Sequence, residues 1–348
     1  MPLSRSLLPL ALLAPLSAAL AQEAAVAAGV SAPAVQAAAS TALAPVAIAV
    51  NVGYPEDMAS YGKVVVVPTA YVKLLSEGSV FAAKQGSALA ALGGGSTNSV
   101  KAKASYQVAG LDKAYAQGLA KQAYDDFVAK LRGAGYTVLT YDDIKGRDYV
   151  VSAARDAGRD GQLPTEKAVG GRDTYLVAAP SDEMAFKVGF TGVFAEFIKY
   201  GKPKFTDAAL VIPTYTINAP QAWAETDSGY NRIEASTNVL PGMNLQYASA
   251  TWMGAPKVRM GGGNAAGVVT KAPVINLAEN AGTLSKVDTT SGAANGLSKA
   301  LSMLGGGGSI TGSSADYTFT IDQAAYGAAA LHGIAGFNAE VAKAIAGQ

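Results

Sequence analysis

The residues that could do chemistry in this chain are few, and most stand apart from one another. Asp142-Asp143 follows the run Tyr136-Thr-Val-Leu-Thr-Tyr141, and carboxylates at strand ends serve as acids or bases in many α/β folds. Nothing else in the sequence completes a site around the pair, so it is read as a turn. Asp125-Asp126 lies in a helical stretch, where neighbours point about 100° apart, which makes a solvated face rather than a proton-sharing dyad. The single histidine, His332, sits in the Ala-rich stretch AAALHGIAGF and reads as a packing or surface residue. A general base would need a nucleophile beside it. With no cysteine and one histidine, a zinc site of Cys and His ligands is excluded. The glycine runs at 93–95 and 305–308 match neither GxxxxGK[ST] nor GxGxxG after a strand, so they read as loops rather than phosphate cradles. ETDSGYNRIE (225–234) lacks the 1-3-5 ligand spacing of a calcium loop, and neither GxSxG nor SxxK occurs. No cofactor or metal and no catalytic residue is assigned.

The aromatic residues offer contact surfaces instead. Phe190, Phe194 and Phe197 share one face if MAFKVGFTGVFAEFIKY (184–200) is helical. Trp223, Tyr230 and Trp252 are candidates for the wall of a small-ligand pocket. Tyr247 belongs to MNLQYASATWM (243–253), an alternating stretch near the length of a membrane-spanning strand that reads first as a half-buried strand of a soluble sheet.

Composition narrows the functional classes. The first 21 residues have the form of a secretory signal: Arg5, an apolar stretch from Leu7 to Leu16, and Ala19-Leu20-Ala21 as a small-x-small cleavage site. The expected destination after cleavage near Ala21 is the periplasm or the exterior. Lys and Arg number 27 against 26 Asp and Glu, so no basic surplus recommends a nucleic-acid partner. No later segment is long and apolar enough for a transmembrane helix. Without cysteine there is no disulfide and no lipid-bearing cysteine, and the fold must rest on core burial.

The elements that must position these residues follow from local pattern. Residues 22–50 form an Ala-rich leader with Pro33 and Pro45, and 51–348 are expected to form one α/β domain. VVVV (64–67) is a strand buried on both faces, ending at Pro68. LDKAYAQGLAKQAYDDFVAKLRG (111–133) is an amphipathic helix, with Leu119, Ala123, Phe127 and Leu131 on its apolar face. The strand 136–141 follows, giving a strand–helix–strand unit suited to parallel pairing. A short helix is expected at 148–156 and a strand at 174–178. ALVIPTYTI (209–217) echoes VVVVPTAYV (64–72), which predicts two core strands of one sheet, each meeting its proline where the ladder ends. Strand and turn signals fill 238–290, and an Ala-rich helix closes the chain at about 324–346. The fold class is therefore α/β in the mixed sense: one mixed sheet with flanking helices and a strand-rich hairpin region in the C-terminal half.

Three stretches carry a resemblance: Val64–Pro68, FVAKLRGAGYTVL (127–139) and TDAALV (206–211), with VINLAENAGTL (274–284) as a strand-turn-Gly-strand hairpin. Their order resembles the superfamily of the curli secretion channel (CsgG-like proteins) and the amino-terminal domain of TolB. That resemblance spans about 150 residues and implies non-enzymatic work in the cell envelope, by assembly, scaffolding or export. It supplies no catalytic residues. The channel proteins are anchored through a lipidated cysteine, which this chain lacks. The expected function is thus an exported protein acting through contacts with envelope partners or with itself. A periplasmic small-ligand-binding protein is the alternative, and a hydrolase using Asp142 or Asp143 comes last.

Overall fold

The computed structural model describes residues 46–85, 99–187, 208–229, 232–253, 266–288 and 313–346, all within one unit, Ala37–Gln348. In chain order the elements are β1 (Val50–Gly53), α1 (Pro55–Ser60), β2 (Val64–Val67), β3 (Tyr71–Gln85), β4 (Ser99–Ala109) and α2 (Lys113–Gly133). Next come β5 (Thr137–Thr140), α3 (Tyr141–Ile144), α4 (Asp148–Val151), β6 (Thr165–Lys167) and β7 (Thr174–Ala178). The C-terminal half holds β8 (Ala209–Asn218), β9 (Gln221–Gly229), β10 (Arg232–Leu240), β11 (Met243–Met253), β12 (Gly267–Thr270), β13 (Val274–Ala278), β14 (Gly282–Asp288), β15 (Ser313–Ile321) and α5 (Gln323–Ala346).

Thirteen of the described strands form one mixed sheet, with the path β1-β12-β11-β8-β3-β4-β15-β14. β8 lies near its middle. Along one edge β8 pairs antiparallel with β11 over nearly its whole length. Along the other it pairs parallel with β2 at Ala209 and Leu210, then with β3 from Thr214 to Ile217. The two echoing segments are therefore sheet neighbours, as their shared β-branched, two-face-buried character requires. The prolines behave differently from each other. Pro68 follows the last residue of β2, and the chain re-enters the sheet as β3 at Tyr71. Pro213 lies inside β8, opposite Ala250 of β11, at the point where the other neighbour changes from β2 to β3. A residue without an N–H is tolerated there because the parallel ladder on that edge is interrupted.

β2 pairs parallel with β5, completing the predicted strand–helix–strand unit through α2. Asp112 caps α2, its carboxylate accepting from the Tyr115 N–H at 2.8 Å. Leu119, Ala120, Ala123, Tyr124, Phe127, Val128 and Leu131 are all buried, as their three- and four-residue spacing demands. α5 lies beside α2, joined by Tyr115 edge-on to Tyr326 and by the Tyr115 hydroxyl donating to the Gln323 carbonyl at 2.8 Å. Both helices cover the sheet face that carries Val65, Val67, Val72, Leu74, Val211 and Tyr215. Close approach of α5 needs small residues: a Cβ at Gly333 would stand 2.8 Å from a methyl of Leu277. The opposite face, with Val66 and Leu210, is covered by Ile144, Val150 and Phe186.

Several segments differ from their local pattern. β3 does not stop after Val72 but runs to Gln85, paired with β4, because the hairpin partner Ser99–Ala109 supplies a ladder for its outer half. GVVTKAPVINLA breaks into β12 and β13 around Lys271–Pro273. The short helix is only Asp148–Val151. β9 and β10, which carry few β-branched residues, make a separate two-stranded ribbon. The helix expected over 184–200 is absent at its start, where Phe186 forms an isolated antiparallel bridge with Arg155, and its remainder, 188–200, lies outside the described residues.

The Tyr124 hydroxyl ties this arrangement together at one point. It donates to the Val67 carbonyl at the end of β2 (2.9 Å) and accepts from the Tyr141 N–H at the start of α3 (3.1 Å). Burial pushes its pKa up to about 12, so it remains a neutral donor across the physiological range. Tyr124→Phe should lower stability by about 1–3 kcal/mol in urea denaturation, the usual cost of orphaning a buried carbonyl. Lys121→Ala, which removes only an exposed pair with Asp125, should cost under about 0.5 kcal/mol.

Candidate functional site

The adjacent carboxylates are the first test of a catalytic reading, and the fold gives each a structural occupation. Asp143 is the third residue of α3, and one oxygen of its carboxylate accepts from both the N–H and the hydroxyl of Thr140, each at 2.7 Å. This is a capping box that starts the helix. The two Thr140 hydrogen bonds hold the Asp143 carboxyl below its ordinary pKa. Asp142 pairs with Lys145 at 2.9 Å on the exposed side. Local sequence missed the cap because the strand runs straight into the helix with no intervening loop.

Asp126 and Asp125 part company as helical geometry predicts. Asp125 pairs with Lys121 in solvent, whereas Asp126 accepts from Asn338 Nδ2 at 2.9 Å. Asn338 is fully buried on α5, and its Oδ1 accepts from the Tyr215 hydroxyl of β8 at 2.7 Å. The chain Tyr215–Asn338–Asp126 thus runs from the sheet centre through one helix to the edge of the other. Desolvation holds the Tyr215 phenol well above its usual pKa, so it stays a donor. His332 is half-buried on the same helix. Among the described residues no group of His, Cys, Asp and Glu is arranged to hold a metal.

A second polar cluster lies on the other face of the sheet. The Tyr106 hydroxyl donates to Asp173 at 2.8 Å, and burial followed by the Asp173 charge drives its pKa far upward. Gly78 of β3 is opposite Tyr106, and a Cβ there would overlap both partners. Beside them Lys73 pairs with Glu166 at 2.7 Å. Leu75, Ala104, Tyr106 and Tyr175 receive Val239 and Ala222 from the β9–β10 ribbon, so this cluster is the floor on which the ribbon rests.

The ribbon has two distinct faces. Directly opposed residues share a face and side chains alternate along each strand. Ala222 and Val239, opposed in register, point to the floor; Gln221 and Leu240, and Trp223 and Asn238, therefore point away from it. Trp223 is exposed, with its indole N–H donating to Glu225 at 2.9 Å, which fixes the ring against the strand. At the ribbon's base Gln221 Nε2 donates to Asn244 at 2.7 Å and to Asn276 at 3.1 Å, joining β9 to β11 and β13. Asn276 has a positive φ of 58°, a conformation that asparagine tolerates better than most residues, within an irregular β11–β13 pairing. Its neighbour Ile275 and the ribbon's Leu240 are both exposed, 67 % and 48 %. Trp223, Leu240 and Ile275 thus flank one amide-pinned junction, and this is the candidate contact surface.

The remaining sequence candidates fall elsewhere. Tyr247 is exposed on β11 opposite Thr216, just after a register shift, and belongs to the main sheet rather than the ribbon. Trp252 is not available as a pocket wall: it is 2 % exposed, part of the core under the helices, because it faces the same side of β11 as Ala248 and Ala250. Tyr230, Phe190, Phe194 and Phe197 lie outside the described residues. Sequence reasoning missed Leu240 and Ile275, which no motif marks; their exposure follows only from the ribbon's register and the turn at Asn276. Comparison with protein-family models, with curated proteins and with solved structures finds no match.

Two outcomes are expected. Asn338→Ala should destabilise the protein by about 1–3 kcal/mol by orphaning the Tyr215 hydroxyl, and adding Tyr215→Phe should recover part of that loss in a double-mutant cycle. The depressed Asp143 pKa means its contribution to stability is complete above the ordinary aspartate range and is lost as pH falls through the folded value. Asp143→Ala should therefore lower the melting temperature at neutral pH and leave it closer to wild type at pH values below that point.

Proposed function

We propose that this protein is an exported, non-catalytic component of the cell envelope that works through protein contacts, with the outward face of the β9–β10 ribbon as its principal contact surface. The observation that carries the reading is the exposure of Trp223, Leu240 and Ile275 around a junction fixed by Gln221, Asn244 and Asn276. Large apolar side chains held rigidly at a surface gain by being covered, and tryptophan is enriched among residues that dominate binding energy. The acidic residues weighed for catalysis support the same direction: Asp143, Asp142 and Asp126 are bound into a cap, an ion pair and a helix-to-helix relay. The signal-like amino terminus and the resemblance to CsgG-like and TolB amino-terminal domains favour an envelope setting. No helix among the described residues is long and apolar enough to cross a membrane.

The test is light scattering coupled to size-exclusion chromatography, on the chain lacking residues 1–21, alone and with envelope extract. An assembly is expected that Trp223→Ala with Leu240→Ser weakens at least tenfold, while the melting temperature stays within about 2 °C because neither side chain is buried. A strict monomer that retains no partner would reject this function.

A further inference from the structure

The ribbon and the strands beneath it form a stack whose two outer surfaces are oppositely charged. On the ribbon's outward face Trp223 is followed at two-residue intervals by Glu225 and Asp227, and Glu234 stands directly opposite Asp227. From Gln221 to Leu240 the chain carries three carboxylates and one basic residue, Arg232. The ribbon's inward face rests on Ala104 and Tyr106 of β4. Alternation then turns Lys101 and Lys103 of β4 to the far side, where both are exposed. Phe81 of β3, opposite Lys103, is exposed beside them at 44 %. Between Gly78 and Gln107 the sequence has three lysines and no carboxylate. Two acidic groups border this far face: Glu77, which accepts from Thr174, and Asp316 of β15, opposite Ser105.

We propose that a second copy of this chain occupies the ribbon face, laying its Phe81–Lys101–Lys103 surface against Trp223, Glu225 and Asp227. This rests on the contact reading above and names the partner. The spacing argues for it. Glu225 and Asp227 are two residues apart on one strand, and so are Lys101 and Lys103, so both pairs of charges repeat at about 6.8 Å and meet in register when the strands align. Each surface also contributes one exposed aromatic ring, Trp223 or Phe81, to exclude water around the charges. Because the two surfaces lie on opposite sides of one stack, the contact is heterologous. Such a contact propagates into a ring or a filament rather than stopping at a two-fold dimer. Exposed ion pairs are individually weak and screened by salt, so the association is concentration-dependent and strongest at low ionic strength.

The test uses charge reversal with complementation, on the full chain after signal removal. Light scattering at 20–50 mM salt, where the Debye length is about twice its value at physiological ionic strength, should give a mass at least twice that of one chain, falling towards one chain at about 500 mM. Lys101→Glu/Lys103→Glu and Glu225→Lys/Asp227→Lys should each lose association at least tenfold. Mixing the two variants should restore it, since each reversed surface then meets an opposite one. Restoration also proves that both variants are folded. A wild-type chain that stays monomeric at low salt, or variants that associate as wild type does, would overturn the self-stacking proposal. A monomer that still holds an envelope partner through Trp223 would overturn it while leaving the contact function intact.

Discussion

Everything in this structure depends on β8 having two different partners along one edge. A strand of ten residues is matched over its length by β11, but on the other side β2 ends at Val67 and β3 begins at Tyr71. The break lets the chain from Val64 to Gln85 serve two parts of the sheet. Its first part builds the parallel unit with β5 and α2; its second reaches outward to carry β7, β4 and the ribbon. Thr69 and Ala70 in the break are fully buried, so the interruption is enclosed in the core and not a surface loop. Tyr124 secures its start, its hydroxyl donating to the last carbonyl of β2 and accepting from the Tyr141 N–H.

Burial then separates two kinds of polar group. Under the helices, Tyr215, Asn338 and Asp126 form a continuous relay in which the buried carboxamide has both ends occupied. Such a network, fully satisfied, fixes the relative placement of β8, α5 and α2 more sharply than apolar packing alone. On the opposite face, Tyr106 and Asp173 occupy space left by Gly78, and the Lys73–Glu166 pair lies beside them. These groups are spent on architecture. Apolar side chains are exposed at several places, Val151 and Val169 among them, but Trp223, Leu240 and Ile275 are the ones that surround a junction held by Gln221, Asn244 and Asn276.

Legibility in the sequence tracked the strength of local pattern. α2, α5, β7 and the parallel β2–β5 unit were readable because amphipathic spacing and β-branched runs are local consequences of what must be buried. β9 and β10 were not, since Gln221–Gly229 is mostly polar and small, and becomes a strand only because β10 pairs with it and the Leu75–Tyr106 floor supports it. Asp142-Asp143 was read as a turn, yet the strand ends directly in a capped helix. Of the contact candidates, Trp223 and Tyr247 proved exposed and Trp252 buried, a distinction that depends on which face of β11 and β9 each occupies.

The sequence alone determined the class of fold, the absence of thiol chemistry and the near balance of charge, because composition and short-range periodicity are properties of the chain itself. The kinship of VVVVPTAYV and ALVIPTYTI was also present in it, as a shared demand for burial on two faces. Only the tertiary structure decided that these segments lie side by side, that Pro213 sits within its strand and not at its end, and that Trp223 faces outward. Those outcomes depend on register between residues far apart in sequence, and a one-residue change of register would exchange every inward and outward side chain.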